Sequence, residues 1–387
     1  MKSSTERILT THVGSLPRPD DLFEMMLARM DGMAVDEKAY TARLDAAVKD
    51  CVRQQREAGL DIVSDGEMGK PSFITYAASR LSGLKKREGF RPSPFANTRE
   101  TRDFPEYYQS TVAEQVSARR RRALMVCAGP IKYIGNAALK ADLDRLKAAL
   151  ANVKAAEAFV PAIAPSNVES TTPNEYYPTP EAYVVAIAEA MREEYRTIVD
   201  AGFLLQIDDP FLVTYYITRP DLDIAACRKW AELRVEALNT ALAGIPADRI
   251  RFHTCYSINM GPRINDMQLK DIVDIIVKVR AGAYSFEAAN PRHEHEWEDW
   301  QRIKIPDDKI LIPGAITQST VLVEHPELVA QRLARFATVV GRERVIAGAD
   351  CGFASFAGSN EVHPSIVWAK FKALVDGARL PSARLWK

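Results

Sequence analysis

The chain of 387 residues is poor in cysteine, with five, and has no excess of charge of either sign, its 51 basic side chains matching 51 acidic ones. So few thiols over such a length make no disulfide framework of the kind that staples small secreted domains, and a reducing compartment is expected. Balanced charge leaves no global grip on phosphate backbones or anionic lipid, which argues against nucleic acid and membrane surfaces as partners. No apolar run is long enough to span a bilayer, and the opening Met1-Lys2-Ser3-Ser4 lacks the apolar core of a secretory signal, so a cytoplasmic protein is expected. Also missing is a glycine-rich phosphate turn after an early strand, the mark of doubly wound nucleotide-binding sheets. What is present, 47% hydrophobic and 26% charged residues, suits a globular chain able to bury a large core.

A weak internal repeat organises the chain. Three times an amphipathic helical stretch ends in Ala-Gly, an apolar run follows, and the run ends in carboxylates. Ala58-Gly59 leads through Leu60–Ser64 to Asp65 and Glu67, and Ala201-Gly202 leads through Phe203–Ile207 to Asp208 and Asp209. Ala281-Gly282 leads through Ala283–Phe286 to Glu287. Glycine at a helix C-terminus supplies the left-handed residue that stops the helix. The short apolar run after it reads as a strand buried on both faces, as in a parallel sheet.

Further strand candidates are Ile8–His12, Leu124–Ala128, Ala158–Ile163, Ile250–Thr254, Ile310–Pro313 and Val345–Ala349, with helical patterns such as Glu37–Glu57, Pro180–Val199 and Glu327–Val340 between most of them. The alternation predicts an α/β fold, a single (β/α)8 TIM barrel with 1–387 as one catalytic domain. Nine candidates compete for eight places, so one is surplus, and Ala158–Ile163 is the least convincing. Leu84–Val116, rich in Arg, Pro, Phe and Tyr and without periodicity, reads as an inserted loop or cap beside the site mouth. Pro161–Tyr177 reads as a structured loop, and the run Arg119–Arg122 as a solvated turn, with an anion site as the lesser alternative.

The sharpest constellation is His253-Thr254-Cys255, then Glu287, then Asp350-Cys351-Gly352. His253 and Cys255 alternate by two at the end of a strand, so their side chains point the same way. Glu287 ends the next strand and Cys351 follows the last. In a closed barrel these ends converge over the axis, giving two thiolates, an imidazole and a carboxylate, a set that suits Zn2+. Cys51 and Cys227 in helical patterns, and Cys127 in a strand, read instead as small buried hydrophobes. His293 and His295 read as surface or supporting residues, His325 before Pro326 as a helix entry, and His12, ending the first strand, as facing the site.

With Gly14-Ser15-Leu16-Pro17, Asp65-Gly66-Glu67, Gly129-Pro130-Ile131 and Gln206-Ile207-Asp208-Asp209-Pro210, all in order, the chain resembles the C-terminal catalytic barrel of the cobalamin-independent methionine synthase family from about Ile8 to Gly352. Short relatives of that family include the epoxyalkane:coenzyme M transferases. The resemblance implies zinc held by His253, Cys255, Glu287 and Cys351, with a metal-activated thiol as nucleophile. Four protein ligands would close a tetrahedral site, so Glu287 is expected to yield when the thiol arrives. The resemblance also implies Ser15, Glu67 and Asp208 as homocysteine contacts, two carboxylates for the α-ammonium group and the serine for the carboxylate. A sulfonate thiol such as coenzyme M calls instead for cations, of which Arg18, Lys70 and Arg292 are expected near the mouth.

Two departures concern the other substrate. The family's stacking tryptophan after the Gly-Pro strand end is absent, which leaves Tyr133 as a candidate cofactor contact. The family's histidine acid is absent from Ala315–Thr320. A methyl leaving an amine nitrogen needs that nitrogen protonated, so methyltetrahydrofolate comes into doubt and a methyl-corrinoid protein becomes an alternative donor. His12 and Tyr176 are the candidate proton donors for an epoxide substrate. The expected function is a zinc-dependent S-methyltransferase acting on homocysteine with a methyl or alkyl donor. The alternatives are an epoxyalkane:coenzyme M-type transferase and a non-catalytic barrel that binds zinc and a thiol.

Overall fold

The computed structural model describes residues 1–90, 97–109, 123–256, 261–356 and 362–386. The strands in chain order are β1 (Leu9–Thr10), β2 (Ile62–Val63), β3 (Leu84–Phe90), β4 (Ala123–Cys127), β5 (Glu157–Ile163), β6 (Leu204–Asp208), β7 (Ile250–Thr254), β8 (Ala283–Phe286), β9 (Ile310–Ile316) and β10 (Ile346–Ala349). Eight of them form one parallel sheet in the order β1-β10-β9-β8-β7-β6-β5-β2. Its two ends meet. The Asp61 N–H donates to the Thr10 carbonyl at 3.0 Å and the Thr11 hydroxyl to the Ile62 carbonyl at 3.2 Å, so the sheet curls into the expected barrel. No described helix is long and apolar enough to cross a membrane.

The helices that return the chain between strands start where the sequence offers caps. Asp36 accepts from the N–H groups of Lys38 and Ala39 at the head of Glu37–Glu57, and Thr179 caps Pro180–Asp200 with proline already set for the first turn. His325 and His363, each before a proline, use imidazole nitrogen in the same way for Pro326–Val340 and Pro364–Leu385. Gly59 (φ 96°) and Gly202 (φ 94°) are the left-handed stops that the repeat predicted. Gly282 serves differently, because a Cβ there would lie 2.6 Å from the Ala247 carbonyl oxygen.

The surplus strand candidate is not the one expected. Ala158–Ile163 belongs to β5, a barrel strand paired with β2 and β6. Leu124–Ala128 corresponds to β4, which pairs antiparallel with β3 outside the barrel. Pro161 is tolerated in a central strand because β2 pairs with β5 only at Glu157 and Ala158. Beyond them the Pro161 carbonyl is taken by the Lys70 ammonium group at 2.6 Å, so no ladder bond is asked of the missing N–H. The expected loop or cap over 84–116 contains β3 and a short helix, Arg99–Asp103, while residues 91–96 and 110–116 lie outside the described residues, as does the Arg119–Arg122 run. The stretch expected as a loop from Pro161 begins in β5 and includes the helix Pro165–Thr171.

Strand alternation sorts side chains between two cores. One cluster, Ile62, Phe159, Leu204, Ala283, Ile310, Ile312 and Ile346, draws on six strands and no helix, and fills the barrel interior at its N-terminal end. A second, larger cluster packs the outer strand faces against the helices, including Leu205, Ile207, Phe252, Tyr284 and Leu311. Side chains that follow on the inner face, toward the strand C-termini, are polar, and there the site lies.

Candidate metal and substrate site

His253 on β7, Cys255 just beyond it and Cys351 just beyond β10 converge so that one ligand atom from each lies within 4.8 Å of the others. The two sulfurs are 3.4 Å apart, and none of the five cysteines forms a disulfide. Two zinc–sulfur bonds of about 2.3 Å at a tetrahedral angle would put sulfurs roughly 3.8 Å apart, so the pair sits at chelating distance. His253 Nδ1 is bonded to the Ser285 hydroxyl at 3.1 Å. Its Nε2 is buried without a hydrogen-bond partner. Burial, with some help from Arg251, pushes the imidazole down to about 3, so it stays neutral and able to donate a lone pair. An orphaned imidazole nitrogen beside two thiols that form no disulfide fits a soft divalent cation such as zinc.

Glu287, the fourth residue of the expected set, is not part of this group. Its Oε1 accepts the Tyr256 N–H at 2.9 Å. Its Oε2 accepts from Arg263 at 2.7 Å and from Asn290 at 2.6 Å. Burial nonetheless raises this carboxyl to about 7, against the pull of Arg263. Asp350, preceding Cys351, accepts from the N–H groups of Ala288 and Ala289 at 2.7 and 2.8 Å, tying the loop after β8 to the one after β10.

A cavity opens beside the thiols. Ser15, Glu67 and Asp208 line it together with His253, Cys255, Cys351, Phe73 and Pro210. Glu67 holds an unusual backbone, φ 56°, fixed by its own N–H on Asp65 at 2.9 Å and by Arg18 on its carbonyl at 2.8 Å. Lys70 donates to Glu67 Oε1 at 3.1 Å. Asp208 accepts from Gln206 at 2.7 Å. Burial and then the neighbouring Glu67 hold its carboxyl well above the usual range, while the Lys70 ammonium works the other way. Gly352 is required where it stands, since a Cβ there would lie 2.1 Å from Ser15 Oγ.

Other expected residues fall elsewhere. His12 does not line this cavity. Its Nε2 is bonded to Gln55 at 2.8 Å, its ring sits edge-on to Phe159 and Phe371, and burial pushes it down to about 3, unsuited to giving a proton near neutrality. Tyr176 is half exposed and packs on Tyr177. Tyr133, expected to stack a cofactor, is buried in the core and donates to Glu194 at 2.7 Å. Its phenol has an internal acceptor, and that draws the ring inward.

His293 is buried rather than on the surface, stacked 3.7 Å from the Tyr256 ring, while His295 is exposed. Cys51, Cys127 and Cys227 are buried as expected. Arg263, Asn290 and Arg251 escaped sequence reading, because they fall outside any spacing that a metal or amino-acid site prescribes. Only a positive φ at Arg263, 58°, marks it, and that is a property of the folded chain.

A (β/α)8 barrel with two thiols and an imidazole over the strand C-termini, and acids beside them, defines an enzyme of the metal-assisted thiol class. A family model described as the catalytic domain of cobalamin-independent synthases matches residues 8–158 and 162–372, and the chain belongs to that family. Curated relatives include the methionine synthase of Thermococcus kodakarensis, 26% identical over 344 residues, or 89% of this chain and 86% of that one. The methionine synthase of Pyrococcus furiosus is 25% identical over 346 residues, covering 89% and 85%. Among solved structures, a B12-independent methionine synthase from a Shewanella species in complex with selenomethionine has the same fold, with a TM-score of 0.71 and 19% identity over 98% of this chain and 99% of that one.

Proposed function

We propose that this protein, acting as one catalytic domain, transfers a methyl group to the thiol of homocysteine, the thiol being held at a zinc ion bound by His253, Cys255 and Cys351. The observation that carries this reading is the shared cavity: Ser15, Glu67 and Asp208 face the same space as His253, Cys255 and Cys351. The methionine synthases among its relatives support the same substrate. Zinc supplies the means to keep a bound thiol as thiolate near neutral pH. The chain's own residues do the rest. Glu67 and Asp208 receive the α-ammonium group, and Ser15 receives the carboxylate. His253, held by Ser285 through Nδ1, would offer its unpaired Nε2 to the metal.

The three cations that would have favoured a sulfonate are engaged. Arg18 donates to the carbonyls of Ala354, Glu67 and Lys70, Lys70 is paired with Glu67, and Arg292 donates to the Ile264 carbonyl. This favours an amino-acid thiol over coenzyme M. A family described as cobalamin-independent lends no support to a methyl-corrinoid protein as donor.

Calorimetry of the zinc-loaded protein with homocysteine, and separately with coenzyme M, tests the reading. Homocysteine is expected to bind with proton release, and Asp208→Asn to weaken it roughly 10- to 100-fold, the worth of a charged hydrogen bond, with zinc content unchanged. Preference for coenzyme M, or unchanged affinity in the variant, would overturn it.

A further inference from the structure

In the function proposed, homocysteine and zinc engage the acids, Ser15, His253 and the thiols of the cavity, and leave its apolar side chains, Val13, Phe73 and Pro210, without a task. Two of these belong to the side that holds the acids. The Val13 carbonyl accepts from Gln206, which also donates to Asp208, and Pro210 follows Asp208-Asp209 at the head of the helix Phe211–Thr218. Phe73 is tied instead to the side that holds the thiols. Its N–H donates to the Ser355 carbonyl at 3.4 Å, and Ser355 lines the cavity on the loop that follows Cys351. Ser72 pairs with Phe356 in an antiparallel bridge, and the half-buried Phe73 ring lies tilted against the Phe356 ring, 6.0 Å between centroids. From behind, the Ser72 hydroxyl accepts from the N–H groups of Ile74 and Thr75 at 3.3 and 2.9 Å, which fixes the turn that presents the ring.

We propose that Phe73 is a specificity-determining residue: its ring is the wall against which the alkyl group lies once it is on the substrate sulfur, and it holds that group to the size of a methyl. The inference rests on the homocysteine reading above and adds to it what limits the group transferred. Homocysteine has no carbon beyond its sulfur, whereas the methylated product has one, and that carbon needs an apolar neighbour. Thioether sulfur and an aromatic ring make a favourable contact. A ring pinned between two loops has little room to retreat, so a further methylene meets it as overpacking rather than as added burial.

The test uses two thioethers that differ by one methylene, methionine and ethionine, titrated by calorimetry into the zinc-loaded protein with no methyl donor present. The wild type should bind methionine about tenfold more tightly than ethionine, or better, the discrimination that one methylene gives in a close-fitting pocket. In Phe73→Ala methionine should weaken about threefold for want of its contact, while ethionine tightens about threefold in the space opened, so that the preference is levelled or reversed. Phe73→Leu, which keeps an apolar side chain of smaller bulk, should give smaller shifts of the same two signs. Damage to the fold alone would weaken both thioethers together, and that result would overturn the proposal, as would an unchanged ratio. Should Phe73→Ala not fold, Phe73→Leu decides in its place. Homocysteine, titrated alongside, separates the two readings. A wild type that binds homocysteine but shows no preference between the thioethers loses the role of Phe73 alone. One that binds neither homocysteine nor methionine loses the thiol reading, and the role of Phe73 with it.

Discussion

The two ends of the barrel interior are built from the same strands, two residues apart, and share almost no chemistry. At the N-terminal end Ile62, Phe159, Leu204, Ala283, Ile310, Ile312 and Ile346 close on one another without a polar atom. One step up the same faces, Leu204 gives way to Gln206 and Asp208, Ala283 to Ser285 and Glu287, and β7 presents Arg251, His253 and Cys255. Arg251 marks the border. It lies 4.1 Å over the Phe159 ring, donates to the Thr11 hydroxyl and the His12 carbonyl at 2.9 and 2.7 Å, and its Nε has no partner. The difference teaches a division of labour: the apolar end stabilises the barrel whatever is bound, and the polar end holds thiols and acids whose burial is favourable only once ligands arrive.

The comparison can be broken from either side. The largest effect is expected at the polar end, where Cys351→Ser should abolish stoichiometric zinc and with it methyl transfer, while the circular dichroism spectrum stays unchanged. Even outer partners of a metal ligand are worth 10- to 100-fold in affinity, and a ligand itself is worth more. Metal analysis after dialysis checks this, and full zinc retention would remove Cys351 from the site. At the apolar end Phe159→Ala should lower unfolding free energy by about 3–5 kcal/mol, through lost burial and a residual cavity. The folded fraction should keep its zinc, which denaturant titration with metal analysis reads out.

A smaller effect sharpens the contrast through pH. His293 is buried, which works against its charge, but Asp266 and Glu296 hold the imidazolium at 3.0 and 2.9 Å and raise it from 6.5 to about 9. A raised pKa in the folded state means the contribution is complete below about pH 6.5 and is lost as pH climbs through 9. The size is at most about 3 kcal/mol. Urea unfolding at pH 6 and pH 9 should show the wild type losing stability over that range and His293→Gln losing markedly less. Phe159→Ala, altered at the apolar end, should keep the wild-type pH dependence.

Much of this was legible beforehand. The Ala-Gly, apolar run, carboxylate repeat located three strands and the end at which they carry chemistry, since helix stops and strand burial are local properties. The assignment of β4 failed because an apolar run of five residues looks the same in a hairpin as in a barrel. Only its antiparallel partner, Leu84–Phe90, distinguishes them. His12 and Tyr133 failed for a related reason: position near a strand end does not say which way a side chain turns, and Gln55 and Glu194 supplied acceptors on the inner side.

By itself the sequence determined the parallel barrel and the company of His253, Cys255 and Cys351, because alternation by two and strand-end placement bring those side chains together in any closed barrel. The company that Glu287 keeps was decided by the tertiary structure alone. Its hydrogen-bond donors come from Tyr256, Arg263 and Asn290, two of them on the preceding loop, and a carboxylate buried among donors is oriented by those that reach it, whatever its place in a motif.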